Sequence, residues 1–206
     1  QDPIVGAPSS QGTVTIFEIA AQRAALTEAA RAAGAGPQSP RDIDSLDGNN
    51  LRAFGTAPPV RAMNLCNIHF HKSAEHKGGE FTTFVGNGDG RGNGTGFAYD
   101  GTLSLDDLEP IETPVGATDH GDLQPGDTIE IHFVYSTAAV SPGPTLDACK
   151  SAGIRNPHLR IEAVVAVLVN DEAAADLTNM ALVAQVDGYY QAPNLPNRLG
   201  VPVVYA

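Results

Sequence analysis

The chain has 206 residues, enough for one ordinary domain with a sizeable core. It carries 24 acidic and 12 basic side chains, and this net charge of −12 disfavours nucleic acid and anionic lipid surfaces as partners. The longest apolar run, Ala163 to Val169, has seven residues, far fewer than the roughly 20 that a membrane-spanning helix needs. We therefore expect neither nucleic acid binding nor a membrane span.

The predicted elements begin after a loose N-terminal arm at 1–12, which is rich in Pro, Gly, Ser and Gln. An Ala-rich stretch predicts a helix over Thr13–Gly34, and Ser39-Pro40 predicts the N-cap and first turn of a short second helix. The chain starts at Gln1 without Met, as a mature secreted or periplasmic protein does once its signal peptide has been removed. We therefore expect an exported protein.

The rest of the chain alternates between strand patterns and loops rich in Gly, Pro and Asp. The predicted strands are Asn64–His71, Glu80–Val85, Thr128–Ser136 and Leu159–Val169, and a further helix is predicted over Asp171–Ala181. No repeat and no break in composition divides the sequence. We therefore predict a single α+β domain over 1–206, whose mainly antiparallel sheet carries the functional site and whose helices are peripheral.

A glycine-rich stretch at 86–96 has glycine at every second position. It superficially resembles calcium-binding loops, in which alternate Asp and Asn oxygens converge on the ion. Arg91 stands where a third oxygen ligand would be needed, and no Glu closes the stretch. We predict a mobile surface loop.

Histidines at alternate positions of two predicted strands form a candidate metal site. Because strand side chains alternate between faces, His69 and His71 point the same way, about two rises of ~3.3 Å apart. If the two strands pair, His132 completes a set of three nitrogens with an open fourth position, as in catalytic zinc sites. Asn67 and Glu130 each precede a histidine by two residues on the same face, where they can accept the other ring proton.

The opposite faces of these two strands are apolar. Ile68 and Phe70 on the first strand, and Ile129, Ile131 and Phe133 on the second, are predicted to face the core. Each strand thus buries one face and presents histidine on the other.

The order of these motifs resembles that of the delta-class carbonic anhydrases. Asn67-Ile68-His69-Phe70-His71 runs into Ala74-Glu75-His76 and Gly79-Glu80-Phe81, and Glu130-Ile131-His132 follows on a later strand. The active-site motifs are also similar to those of the alpha class. The resemblance is close over 64–81 and 128–136, and the first 60 residues take no part in it.

The resemblance implies a zinc-dependent enzyme that reversibly hydrates carbon dioxide to bicarbonate and a proton by a metal-bound hydroxide. It implies His69, His71 and His132 as the zinc ligands, for which cobalt or cadmium could substitute. Asn67 and Glu130 are implied as their orienting partners. The implied partner of the protein is a small molecule, carbon dioxide or bicarbonate. Whether the chain forms a homo-oligomer is left open.

The resemblance also implies roles around the metal. Glu75, with His76 beside it, is implied as a catalytic group, a buried acidic partner of the hydroxide. Val134 corresponds to a residue of the small apolar wall that borders the carbon dioxide pocket in the alpha class. The threonine that orients the hydroxide in the alpha class has no match here. For export of the proton, the candidate histidines are His76, His120 and His158.

The chain has two cysteines, Cys66 and Cys149. A disulfide between them would close a long loop, worth about 4 kcal/mol on a chain-entropy model, and would pin the two ligand strands together. Two buried thiols in a reducing compartment are the alternative. The expected export of the chain favours the disulfide.

Two other functions fit parts of the same pattern. In a cupin-type enzyme, His69-x-His71-x(3)-Glu75 would make Glu75 a fourth ligand, and the metal would be iron or manganese. No Asn follows His132 at the cupin spacing. A secreted β-domain with a structural metal is the third interpretation, and it would require four protein ligands.

Overall fold

A three-stranded antiparallel sheet lies at the centre of the fold. The structure, a computed structural model, describes residues 58–87, 94–119 and 121–196, together with Phe17, Ala21 and Ala24, which are helical. The sheet contains β1 (Asn64–Lys72), β6 (Thr128–Ser136) and β7 (Leu159–Val167), in the order β1-β6-β7. All nine residues of the middle strand, β6, are buried, whereas β7 is exposed at alternate positions of its first half.

Three antiparallel hairpins and three short helical segments accompany this sheet. The hairpins pair β2 (Thr83–Asn87) with β3 (Thr95–Ala98), β4 (Val115–Thr118) with β5 (Gly121–Leu123), and β8 (Ala184–Val186) with β9 (Tyr189–Gln191). The helical segments are the 3-10 helices η1 (Val60–Ala62) and η2 (Leu146–Cys149) and the helix α1 (Leu177–Met180). Within the described residues the fold is thus mostly antiparallel β-structure with very little helix.

A bulge in β1 decides which of its residues face the site. Leu65 pairs with Tyr135 and Asn67 pairs with the adjacent Val134, so Cys66 is an extra residue between the two pairs. In a regular strand Leu65 and Asn67 would share a face. Because of the bulge, Leu65 packs into the core while Asn67 begins the opposite face.

One face of the sheet forms the main hydrophobic core. The buried members of this core are Met63, Leu65, Leu123, Ile129, Ile131, Phe133, Tyr135 and Ala192. Four of them come from alternate positions of β6, so the predicted apolar face of that strand is confirmed. On β1, Ile68 packs against this core as predicted, and Phe70 lies on the same face, opposite Ile131, although 49% of its surface is exposed.

The predicted disulfide between Cys66 and Cys149 is confirmed. It joins the bulge of β1 to the end of η2 across a sequence separation of 83 residues. Val134 is fully buried against the two cysteines, and Val140 packs beside them. The disulfide therefore closes one end of the sheet face that carries the histidines.

The strands of the central sheet were predicted better than the elements around it. The strand over Thr128–Ser136 is confirmed at both ends, and β1 and β7 differ from their predictions by one or two residues at one end. The strand predicted over Glu80–Val85 begins later, at Thr83.

The helix predicted over Asp171–Ala181 is wrong in length, because only Leu177–Met180 is helical. The carboxylate of Asp176 caps it by accepting from two backbone N–H groups, whereas Asp171 accepts from Ala173 N in a separate turn. Apart from the three helical positions named above, the arm and the two helices predicted within the first 57 residues lie outside the described residues. The predicted α+β class therefore has little support in the part that the structure describes.

The glycine-rich stretch was predicted to be a single loop, and this prediction is wrong at both of its ends. Gly86 pairs with Gly96 and Asn87 pairs with Thr95, so its two ends are strands of the β2–β3 hairpin. Residues 88–93 lie outside the described residues. Nor does the structure contain, in the ranges it describes, a helix long and apolar enough to cross a membrane.

Candidate metal centre

Strands β1 and β6 bring three imidazole rings together on one face of the sheet. His69 lies directly opposite His132 in the antiparallel pair, and His71 is two residues further along β1. The ring of His132 makes edge contacts with both others, with centroid distances of 5.0 Å to His69 and 5.1 Å to His71. The pairing that the sequence pattern predicted therefore places all three rings in one group.

The two rings of β1 are each held through Nδ1. His69 Nδ1 lies 2.6 Å from Asn67 Oδ1, and Asn67 Nδ2 donates to Gly143 O at 2.9 Å, which fixes the orientation of the amide. His71 Nδ1 lies 3.2 Å from the carbonyl oxygen of Ser73. Because both partners are acceptors, both Nδ1 atoms carry a proton, and the Nε2 atom of a neutral ring then keeps a lone pair.

His132 is held from its other nitrogen by a buried carboxylate. Its Nε2 lies 2.9 Å from Glu130 Oε1, and Glu130 Oε2 accepts from the backbone N–H of Glu75 at 2.6 Å. Burial raises the pKa of Glu130, but hydrogen bonds from the His132 ring and the Glu75 N–H outweigh it, and the pKa is lowered. The hydrogen bond to Glu130 raises the pKa of His132, with burial opposing. Glu130 is thus an ionised acceptor for Nε2–H.

Three ring nitrogens remain for a metal. His69 Nε2 and His132 Nδ1 face each other at 3.2 Å, and His71 Nε2 is buried without a hydrogen bond among the described residues. Two lone pairs at this distance repel each other unless a cation lies between them. Two nitrogen ligands of a tetrahedral metal ion, at roughly 2.0–2.1 Å each, are roughly 3.3–3.4 Å apart, so the separation of this one pair is compatible with a shared ion. Burial, followed by the charges of His132 and His71, lowers the pKa of His69 and favours the neutral ring that a metal requires.

Glu75 forms an alternative set of possible metal ligands together with His71 and His132. The ligand atoms of His71, Glu75 and His132 all lie within 4.8 Å of one another, and Glu75 Oε1 is 3.4 Å from His71 Nε2. The side chain of Glu75 is 44% exposed, so its predicted burial is wrong. The two donor sets share His71 and His132 and differ in whether His69 or Glu75 is the third ligand.

Among the described residues, the group that could hold a metal includes neither His76 nor His158. Val134 has no exposed surface, because it packs under the disulfide, so its contact with substrate stays a prediction. His76 is half buried beside Glu75, and His158 is exposed just before β7. His120 lies outside the described residues.

An apolar row on β7 was missed in the sequence. Ala163 lies directly opposite His132, Ile161 opposite Val134, and Val165 opposite Glu130. Since paired residues of neighbouring strands share a face, this row borders the histidines. The side chain of Ile161 is 55% exposed and that of Ala163 is also exposed. The strand itself was predicted, but only its register against β6 could have revealed the row.

A family comparison agrees with this geometry. The family model described as delta carbonic anhydrase matches residues 60–206. The chain belongs to the delta carbonic anhydrase family. It is therefore a carbonic anhydrase, with carbon dioxide and bicarbonate as its small-molecule substrates, and the resemblance found in the sequence is confirmed. The match covers every residue of the candidate metal centre and argues against the cupin interpretation. No curated protein and no solved structure matches the chain.

Proposed function

We propose that the enzyme uses zinc, bound by His69, His71 and His132. The observation that carries the proposal is the 3.2 Å separation of His69 Nε2 and His132 Nδ1, two nitrogens whose lone pairs face each other. The buried Nε2 of His71, which makes no hydrogen bond among the described residues, is a further nitrogen for the metal and belongs to both donor sets. In a metal-free chain a proton on His132 could also lie between the two nitrogens, and the raised pKa of His132 is consistent with that state.

The surrounding residues fix the rings for this task. Asn67 and the Ser73 carbonyl each hold an Nδ1 proton, which leaves two neutral ligands on β1. Glu130 holds the Nε2 proton of His132 and leaves Nδ1 for the metal. Zinc held by three neutral imidazoles lowers the pKa of a water ligand from about 15.7 to about 7, which supplies a nucleophile for carbon dioxide at neutral pH.

Glu75 is proposed to act beside the metal rather than on it. Its half-exposed carboxylate stands 3.4 Å from His71 Nε2, at the solvent side of the cluster. There it can accept a hydrogen bond from water or bicarbonate at the open position and so orient that molecule. His76 follows Glu75 and is half buried, and we retain it as a group that passes protons to solvent, since imidazole exchanges protons near neutral pH.

Carbon dioxide is proposed to approach the metal over β7. The molecule is apolar, and the exposed side chains of Ile161 and Ala163 offer an apolar surface in the row beside His132. Val134 occupies the same face but is covered, so the β7 residues are better candidates for the wall that the resemblance implied.

We further propose that the enzyme works outside the reducing cytosol, as a secreted or periplasmic protein. The disulfide between Cys66 and Cys149 supports this location, because such bonds form and persist in oxidising compartments.

Metal analysis combined with stopped-flow carbon dioxide hydration tests the ligand set. We expect one zinc per chain in the wild type, loss of zinc in His69→Ala, and retained zinc with slower turnover in Glu75→Gln. The matched control is Glu112→Gln, an exposed carboxylate outside the site, which should change neither quantity. The opposite pattern, zinc lost from Glu75→Gln and kept in His69→Ala, would establish the set of His71, Glu75 and His132. Stoichiometric metal with no hydration activity in the wild type would indicate a structural metal.

A further inference from the structure

The turn that follows β1 is held by backbone hydrogen bonds on two sides. Ser73 N donates to Thr128 O at 2.7 Å, at the start of β6. Ala74 and Phe97 of β3 exchange two hydrogen bonds, with Ala74 N donating at 2.8 Å and Phe97 N donating at 2.9 Å. Ser73 and Ala74 are both buried, and Ser73 has a φ of 69°, a left-handed conformation that non-glycine residues rarely adopt. The tertiary structure therefore imposes the shape of this turn.

Two backbone groups of the turn orient two of the histidines. The carbonyl oxygen of Ser73 accepts from His71 Nδ1, and the N–H of Glu75 donates to Glu130 Oε2 at 2.6 Å. Glu130 in turn holds His132. A shift of the turn would therefore disturb the orientation of both rings, although none of its backbone atoms is a metal ligand.

Gly96 of β3 lies against the back of this turn. A Cβ atom at Gly96 would be 2.2 Å from Ala74 O, 3.1 Å from Ala74 C and 3.4 Å from Ser73 Cβ. The closest of these are backbone atoms, so no side-chain movement can make room. Gly96 also has a φ of 93°, which disfavours any other residue. The hairpin can approach the turn only because this position is glycine.

We propose that Gly96 is a positioning residue of the metal centre. By allowing β3 to pack against Ala74, it holds the Ser73 carbonyl and the Glu75 N–H at the places where they orient His71 and, through Glu130, His132. This inference rests on the proposed metal site, and it gives a function to one end of the glycine-rich stretch.

The first test compares two glycine substitutions in the same hairpin. Gly96→Ala forces the turn to move, whereas Gly94→Ala carries the strain of a positive φ (63°) with nothing within 4 Å of the added Cβ. We expect Gly96→Ala to weaken zinc affinity by roughly 10-fold or more, as loss of an orienting partner does, and Gly94→Ala to leave it nearly unchanged. Affinity is measured on the full chain by competition with a chelator at constant pH. Equal affinities in the two variants would overturn the proposal.

A second readout needs neither zinc nor activity. In the full chain freed of metal at about pH 8, above the ordinary imidazole pKa of ~6.5, long-range ¹⁵N–¹H NMR reports which ring nitrogen of His71 carries the proton. We expect the Nδ1–H tautomer in the wild type and in Gly94→Ala, and a mixture of both tautomers in Gly96→Ala. This result is independent of the proposed function, which fails instead if the wild type binds no zinc. An unchanged tautomer in Gly96→Ala would overturn the positioning role.

A third measurement applies even if Gly96→Ala does not fold. Amide hydrogen exchange on the wild-type protein as purified should show protected N–H groups at Ala74, Glu75 and Phe97, since each donates within the structure. Fast exchange at Glu75 or Ala74, with protected neighbours in β6, would mean that the hairpin does not hold the turn.

Discussion

Strands β6 and β7 are paired along their whole length, yet their contributions to the site differ. Every residue of β6 is buried, and its polar side chains Glu130 and His132 are hydrogen-bonded to each other. On the same face of the sheet, β7 presents Leu159, Ile161 and Ala163 to the exterior. The difference shows that one sheet face can combine a buried polar centre with an open apolar border.

The position of each strand explains the contrast. β6 lies between β1 and β7, so its side chains are covered by neighbours on both sides, and a buried polar group there must be paired to be tolerated. In the described part of the chain β7 has a strand neighbour on one side only. We therefore expect substitutions in β6 to affect the metal, and substitutions in β7 to affect substrate more than the metal.

The largest expected effect is that of His132→Ala in β6. Removal of a ligand should weaken zinc binding by more than the roughly 10- to 100-fold that loss of an orienting partner costs, and hydration should fall to background. Metal analysis and stopped-flow kinetics measure both, and circular dichroism confirms folding. Glu112→Gln, an exposed carboxylate outside the site, is the control and should keep both properties. Full zinc and full activity in His132→Ala would mean that His76 or His158 is the ligand instead.

The second largest effect is a loss of stability on removal of the disulfide, which closes one end of the sheet face that carries the histidines. Replacing Cys66 and Cys149 together by serine should lower the free energy of unfolding by about 4 kcal/mol, because the unfolded chain regains the freedom of a long loop. Denaturant titration without reductant measures this change. Reductant should destabilise the wild type by a similar amount and leave the double variant unchanged. A loss below about 1 kcal/mol would show that the bond adds little to the anchoring of β1.

A smaller effect is expected for Glu130→Gln. One amide atom can still accept from His132, but the other would place N–H donors against the N–H of Glu75, where Oε2 now accepts. Zinc affinity should fall by roughly 10- to 100-fold. The matched control on β7 is Glu162→Gln, because that carboxylate pairs with Arg160 near the surface, and its loss should leave the metal unaffected. If both variants bind zinc like the wild type, the contrast between the strands does not extend to the metal.

The smallest effect is expected on β7. Ile161→Asp puts a charge on the proposed apolar border and should lower kcat/KM for carbon dioxide roughly fivefold, equivalent to about 1 kcal/mol of apolar contact, with zinc retained. Leu159→Asp is a matched control, since Leu159 is also about half exposed (47%, against 55% for Ile161) and lies two residue pairs further from the histidines. Equal kcat/KM values in the two variants would remove β7 from the substrate path.

The patterns that could be predicted from the sequence are local. The two-residue period of a strand predicted three features. These are the shared face of His69 and His71, the apolar positions of Ile129 and Phe133, and the bounds of β6. Alternation placed Phe70 on the core face, opposite Ile131, but it could not predict that Phe70 is half exposed, because the extent of burial depends on what packs over that part of the strand. The short helix near Leu177 was overestimated because Asp171 and Asp176 are equally good caps in sequence, and only Asp176 is used as one.

The sequence by itself determined which side chains could bind a metal, which could orient them, and which two cysteines could pair, because these depend on residue type and short spacing. The tertiary structure decided the rest. It placed His69 opposite His132, turned Leu65 to the core face through the bulge at Cys66, and exposed Glu75. It also provided the Ser73 carbonyl, the close approach of Gly96 and the apolar row of β7. Strand register and contacts between distant backbone segments produce these features, and such contacts leave no local pattern in the sequence.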